Sequence, residues 1–300
     1  MHLYGVAQLC ALDEIRKRGD CMFQGDCQVD MHIHTTDSDG TWTIEELLEH
    51  ITKNNIKVFS ITDHDTIESS VMMLSNIPNN IYYVIGAEIS CSYNGEEYHI
   101  TAYDFDYKNS KFNELLKFNQ MQRKEFNVKV VEYVKTVNKI EDIRDYFLYR
   151  YDSKRGGWNS LNYLLDKNIV KDLGEYFEIL KSSNERLSFK NPKEIIEIIK
   201  EAGGYSFLAH PSAYQRGKKL SLRVLEEWKD YGISGIECYS PYLKNIEDSS
   251  YYVKFCEGNN LMISAGSDCH GEFNNRTIGV PKVDIGKIKL DFIKKRIKTF

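Results

Sequence analysis

Val29-Asp30-Met31-His32-Ile33-His34-Thr35-Thr36-Asp37-Ser38-Asp39-Gly40-Thr41-Trp42-Thr43-Ile44-Glu45-Glu46 reads as strand, loop and helix start in one run. Alternate side chains of an extended segment project to one side, so a strand over Val29–His34 sends the imidazoles of His32 and His34 into one space. Asp37-Ser38-Asp39-Gly40 has turn chemistry. Thr43 stands three residues before Glu46, the spacing at which hydroxyl and carboxylate cap a helix N-terminus reciprocally, so a helix opens here and runs toward Asn54. The result is a βα unit with ligand-type side chains at the C-terminal end of its strand.

The same order recurs along the chain. Short β-rich runs at Val58–Thr62, Tyr82–Glu88, Tyr98–Tyr103, Tyr205–Ala209, Gly235–Cys238 and Met262–Ser267 predict further strands. Pro192 stands where a first-turn proline belongs, ahead of Ile195, Ile196, Ile198 and Ile199, and Gly203-Gly204 ends that helix. Leu220–Tyr231 and Ile246–Asn259 carry the same pattern. Alternating strands and helices imply an α/β fold with a parallel sheet, and seven strands suggest a barrel.

One region interrupts the alternation. Residues 104–191 are rich in Lys, Glu, Asn and Tyr, with helical periodicity at Phe118–Val137, Leu161–Ile169 and Leu173–Leu180. The expected organisation is an N-terminal extension (1–27), a barrel domain (28–103 and 192–300) and a helical insertion (104–191) between the fourth and fifth strands. Met22 is an alternative initiator within the extension. A last helix is expected over Ile285–Thr299, where Lys294, Lys295 and Arg296 complement the C-terminal dipole.

At 300 residues, 42% hydrophobic and 28% charged, the chain buries a core without disulfide staples. No apolar run approaches the ~18 residues of a membrane span. The net charge of −5 argues against broad binding to duplex DNA, which needs an excess of Lys and Arg; a short or single-nucleotide ligand at a metal site remains open. Cys10, Cys21, Cys27, Cys91, Cys238, Cys256 and Cys269 are odd in number and form no C-x-x-C pair, so neither a zinc ribbon nor a disulfide framework is expected. The opening residues lack the basic start of a signal peptide. The expected setting is cytoplasmic, away from membranes, and nothing in the pattern specifies an oligomeric state.

Most of the eight histidines fall at strand ends. His32 and His34 close the first strand, His64 follows the second, His99 lies in the fourth, His210 ends the fifth and His270 follows the seventh. Glu88 ends the third strand, Asp39 sits in the first loop and Asp268 precedes His270 by two. His2 and His50 fit no strand end and are expected at the surface. Taken singly, an H-x-H, an Asp-Gly or a His-Pro is an ordinary structural feature. Histidines placed for structure alone would scatter, whereas these collect at the one end of a parallel sheet where active sites form. His32, His34, Asp39, His64, Glu88, His99, His210, Asp268 and His270 exceed what one ion uses, about four ligands for zinc and about five or six for manganese or iron. Two or three divalent ions are therefore expected, bridged by Glu88, and imidazole with carboxylate suits Mn, Fe or Zn alike. Such clusters acidify a bound water and clamp the oxygens of a phosphoester, the chemistry of a hydrolase.

In order, DMHIHTTDSDG (30–40), SITDHDT (60–66), GAEIS (86–90), YHITAYDFD (98–106), FLAHPSAY (207–214), GIECYSP (235–241) and SAGSDCHG (264–271) resemble the PHP (polymerase and histidinol phosphatase) superfamily of metal-dependent phosphoesterases. The resemblance covers roughly residues 28 to 280. The insertion, with RGGWNSLNYLLDKNIV (155–170), resembles the branch acting on nucleoside 3′,5′-bisphosphates, short oligoribonucleotides or RNA 5′ ends. It implies a distorted (β/α)7 barrel and a trinuclear site. By motif, His32, His34, Glu88 and Asp268 would hold one metal, Glu88 would bridge to a second with His99 and His210, and Asp39, His64 and His270 would hold the third. Asp63 and Asp65 flank His64 and are candidates to orient it, and Glu237, ending another strand near the site, is a candidate supporting residue that the motif does not establish as a ligand.

A phosphate needs guanidinium or ammonium donors; Arg155 and Arg276 are the candidates. Trp158, Tyr146, Tyr149, Tyr151 and Tyr163 could stack a base. The leading expectation is a metal-dependent phosphoesterase hydrolysing a small nucleotide or short 5′-phosphorylated RNA by attack of metal-bound hydroxide on phosphorus. A histidinol-phosphate phosphatase and a non-catalytic metal-binding interaction module are the alternatives.

Overall fold

The computed structural model describes residues 27–78, 81–137, 139–243 and 245–293. His2, Met22 and the Lys294, Lys295 and Arg296 cluster lie outside the described residues. Seven strands, β1 (Gln28–Asp30), β2 (Ile56–Ile61), β3 (Tyr82–Tyr93), β4 (Glu96–Tyr103), β5 (Tyr205–Leu208), β6 (Gly235–Tyr239) and β7 (Met262–Ala265), form one sheet in chain order. The helices are α1 (Ile44–Lys53), α2 (Glu68–Met73), α3 (Ser110–Thr136), α4 (Asn159–Asp166), α5 (Leu173–Ser183), α6 (Pro192–Glu201), α7 (Leu222–Asp230) and α8 (Ser249–Gly258). Among the described residues no helix is long and apolar enough to cross a membrane.

Local sequence accounts for the helix ends. The Glu46 N–H donates to the Thr43 hydroxyl (3.3 Å) and the Thr43 N–H to the Glu46 carboxylate (2.9 Å), so the expected capping box forms and α1 buries Ile44, Leu47 and Ile51 at helical spacing. Asn191 caps α6, Pro192 occupies its first turn, and Ile195, Ile196 and Ile199 face the core.

The strands are parallel except around β4, which runs antiparallel to both β3 and β5. The wholly parallel arrangement expected of alternating strands and helices fails there for a local reason. β3 continues past Glu88 to Tyr93 and reverses through Asn94 and Gly95, both in the left-handed region (φ 52° and 80°), and Tyr93 pairs with Glu96. A two-residue turn of this kind joins only antiparallel strands.

No ladder joins β7 back to β1, so the sheet is not closed. Beyond the strand ends, however, the two edges meet. Met31 N–H donates to the Ala265 carbonyl (2.8 Å), Asp268 N–H to that of His32 (2.8 Å), and His34 N–H to that of Cys269 (2.9 Å). The buried Asp30 carboxylate accepts from the N–H groups of Ser267 (2.9 Å) and Gly279 (2.8 Å), tying the same edges together.

Both faces of the sheet are apolar, as expected of strands covered on each side. Along β2, Phe59 and Ile61 join the large core packed under α1, α6, α7 and α8, while Val58 joins a second core with Val29, Tyr103, Phe207 and Phe292. A third core holds Val130, Val131 and Val134 of α3 against α4 and α5. α3 belongs to two cores, because Phe112, Leu115 and Leu116 from its first half pack with the sheet. It begins at Ser110, capped by the Asn109 side chain, earlier than the periodicity from Phe118 predicts. The expected helix from Ile285 does not form there: Ile285–Lys287 is a single 3-10 turn, and Lys289 bridges Ile263 at the β7 edge.

Candidate metal centre

The polar end of the sheet gathers its side chains by strand geometry. His99 pairs with Ser90 across the β3–β4 ladder, and Ser90 lies two residues from Glu88, so His99 and Glu88 share a face. His32 fits against Gly266, where a Cβ would come within 2.2 Å of His32 Cβ; only glycine allows that approach. Asp65, His210 and Asp268 all sit at positive φ (52°, 28° and 51°), strained for side-chain-bearing residues.

Glu88, fully buried, is the hub. Its Oε2 lies 3.2 Å from His32 Nε2, 3.2 Å from His34 Nε2 and 3.1 Å from His64 Nδ1. Its Oε1 lies 3.1 Å from His99 Nδ1 and 2.9 Å from His210 Nε2. Asp268 Oδ1 stands 3.1 Å from His34 Nε2 and 3.5 Å from His32 Nε2. Asp39 approaches His270 Nε2 (3.3 Å), His34 Nδ1 (3.7 Å) and His64 Nε2 (3.9 Å). All nine side chains expected as ligands are thus brought together. His50 is elsewhere, stacked on Trp42.

The donor set fits divalent cations. Glu88 Oε2, His32 Nε2, His34 Nε2, His64 Nδ1 and His99 Nδ1 are buried and face one another, yet none makes a hydrogen bond. Leaving a buried polar atom unsatisfied costs about 1–3 kcal/mol, and five of them aimed at one space are unfavourable unless a cation lies between. Ligand atoms fall into three sets within 4.8 Å: His32, His34, Glu88 and Asp268; His64, Glu88 and His99; His34, Asp39, His64 and His270. His64 and His99 keep 16% and 18% of their side-chain surface exposed, so the second and third sets open toward solvent.

Burial and mutual charge pull these groups apart. Burial drives His64 well below its ordinary value. Burial also opposes charge on His32, but Glu88, Glu237 and Asp268 outweigh it and raise His32. Burial would raise Glu88; the surrounding imidazoles reverse this and hold it well below the carboxylate range. Asp39 is lowered in the same way, chiefly by His270 and His64 against the cost of burial.

Outer contacts fix the ligand side chains. Glu237 meets His32 Nδ1 at 2.6 Å, as a group orienting a metal-bound imidazole does. Asp63 and Asp65, in contrast, engage other partners than the His64 ring. Asp63 accepts from Thr35 N–H (2.7 Å) and Ser38 Oγ (2.6 Å), holding the Asp39 loop. Asp65 accepts from Ser90 N–H (2.9 Å), Asn119 (2.7 Å) and Arg123 Nε (3.1 Å), docking α3. Arg276 donates to Asp268 Oδ2 (2.6 Å) and to its carbonyl (2.9 Å), so its guanidinium serves a candidate ligand carboxylate. Arg155 pairs with Asp166 (2.9 Å) at an exposed position. Tyr146 and Tyr163 are buried in the helical core, which is what aromatic residues at helical spacing usually do.

Three contributors escape a strand-end reading. Glu97 Oε1 meets His99 Nε2 at 3.0 Å and Arg123 Nη2 at 2.6 Å, and Tyr242 donates to Asp268 Oδ2 at 2.6 Å. The E-x-H alternation of Glu97 and His99 is a signal that could have found the first; Arg123 and Tyr242 have none.

A cavity of about 630 Å³ opens from Asp39, His64 and His99 toward the helical region, where Arg123, Phe126 and Trp158 line it. That is room for a small organic ligand.

Residues 30–213 match the PHP domain family model. The chain is 25% identical to a 5′-3′ exoribonuclease of Haemophilus influenzae over 80% of this chain and 89% of that one. It is 23% identical to a 3′,5′-nucleoside bisphosphate phosphatase of Chromobacterium violaceum over 81% and 87%. A structure of an amidohydrolase from Chromobacterium violaceum, with bound sulfate and no metal, superposes with a TM-score of 0.73 at 20% identity, covering 90% of this chain and 96% of that one.

Proposed function

Because the chain belongs to the PHP domain family, we propose that it is a metal-dependent phosphoesterase acting on a small nucleotide, either a nucleoside 3′,5′-bisphosphate or a short 5′-phosphorylated oligoribonucleotide. The observation that carries this reading is Glu88 ringed by five imidazoles, with the inward nitrogens of His32, His34, His64 and His99 and one Glu88 oxygen buried and without hydrogen bonds. The meeting of the β1 and β7 edges supports a distorted barrel, with residues 104–191 as its helical insertion. Five free buried cysteines among the described residues accord with a cytoplasmic, reducing setting.

His32, His34, Glu88 and Asp268 would hold one ion. Glu88 would share a second with His99 and His210, His64 lying equally close, and Asp39, His64 and His270 would hold a third. Mn, Fe and Zn all suit these donors. Bound there, divalent ions supply acidification of a water and neutralisation of phosphoryl oxygens. The protein's part is positional. Glu237 and Glu97 lock the rings of His32 and His99, Tyr242 and Arg276 hold Asp268, and Asp63 holds the loop bearing Asp39. Arg276 sits one side chain from the centre, with 22% of its own surface exposed, where its free edge can meet a phosphoryl oxygen.

Release of phosphate and AMP with Mn²⁺ present tests the reading on adenosine 3′,5′-bisphosphate, a 5′-phosphorylated RNA dinucleotide and histidinol phosphate. Turnover of either nucleotide, lost in His210→Ala, is expected. Turnover of histidinol phosphate alone would overturn the nucleotide assignment, and silence on every phosphoester would overturn the enzyme.

A further inference from the structure

The cavity beside the metal centre has a chemistry of its own. Three helices of the region between β4 and β5 each turn an aromatic side chain to it: Phe126 from α3, Trp158 at the N-terminus of α4 and Phe177 from α5. Phe177 is 49% exposed, although burying a phenyl ring is favourable. Trp158 is held edge-on by Tyr176 (centroids 5.5 Å, 65°) and Phe273 (6.2 Å, 87°), which makes it a rigid platform. Trp158 and Phe177 are tilted at 51° with centroids 6.4 Å apart, so they do not stack on each other.

The charges of the lining disfavour a phosphate against the aromatic wall. Glu96, Glu97 and Glu185 outnumber Arg123 and Arg186, and the Arg123 guanidinium is already engaged by Asp65, Ser90 and Glu97. An uncharged, flat, hydrogen-bonding group is what such a wall accommodates. Asn127 adds a donor, because its carbonyl oxygen accepts from Ser160 (2.5 Å) while its NH₂ remains for a ligand edge.

We infer that this cavity seats one unpaired nucleobase of the substrate, stacked on Trp158 and flanked by Phe177, while the adjoining phosphate lies at the metal centre. The inference rests on the phosphoesterase reading above and adds to it the base as a recognised element. Trp158 and Phe177 are specificity residues in this scheme, and the helical region is the reader of the base.

Calorimetry on Mn²⁺-loaded protein, titrated with AMP and with ribose 5-phosphate, separates base from sugar phosphate. Wild type should bind AMP at least about tenfold more tightly. Trp158→Leu should weaken AMP by about fivefold to a hundredfold, the weight of a base–aromatic stack, and Trp158→Phe should restore part of it. Ribose 5-phosphate should shift by less than about threefold. Phe177→Ser, at an exposed position outside the packed core, gives the same comparison if the tryptophan variant misfolds. Equal affinity for the two ligands in wild type, or equal weakening of both in the variants, overturns the base seat. Absence of any phosphoester hydrolysis is a different failure, that of the parent reading.

Discussion

Glu97 shows how a single carboxylate can govern the centre without touching it. Its Oε1 lies 3.0 Å from His99 Nε2, which fixes the ring so that Nδ1 points at Glu88, and Arg123 anchors Glu97 from α3. Removing such an orienting partner typically costs a metal site about 10–100-fold in affinity. Glu97→Gln and Arg123→Gln should each weaken Mn²⁺ binding within that range by calorimetric titration, and Arg123→Lys, which lacks the planar fork, should recover little. Wild-type affinity in all three variants would reduce the network to a docking contact for α3. The ligand-type residues themselves were legible in the sequence, because strand alternation and strand ends put them on one side of one sheet. Arg123 was not, since it reaches the centre only through the tertiary docking of a helix more than twenty residues away in the chain.

At the scale of elements, the β3–β4 hairpin is where a local signal outranked the global pattern. Asn94-Gly95 specifies a tight reversal, and this makes β4 antiparallel and carries His99 back to Glu88. Gly95 holds φ 80°, so Gly95→Ala should destabilise the fold by roughly 1 kcal/mol, read as a lowered urea midpoint at unchanged slope. An unchanged midpoint would mean that the hairpin register does not depend on this turn. Helix starts were readable to the residue at Thr43 and Pro192, because capping and first-turn chemistry need only neighbours a few positions away. The start of α3 and the segment after Ile285 were not. α3 is extended by packing its first turns on the sheet, and Lys289 is drawn into a bridge with Ile263.

Across the whole molecule, two apolar cores hold the sheet, a third holds the helical region, and polar groups are concentrated where the strand ends meet. α3, shared between the sheet core and the helical core, couples the cavity wall to the ligands: Asn119 and Arg123 dock on Asp65, beside His64. On the proposed function, a phosphate at the centre and a base in the cavity would be held by one connected scaffold. Everything in this account depends on metal at Glu88. The most direct test is to measure metal content and phosphoester turnover on the same preparation before chelation, after it, and after readdition of Mn²⁺. Two or three equivalents per chain, with turnover lost and restored alongside them and both abolished in Glu88→Gln, is the predicted result. Turnover that survives complete metal removal, or fewer than two equivalents in fully active protein, would contradict it.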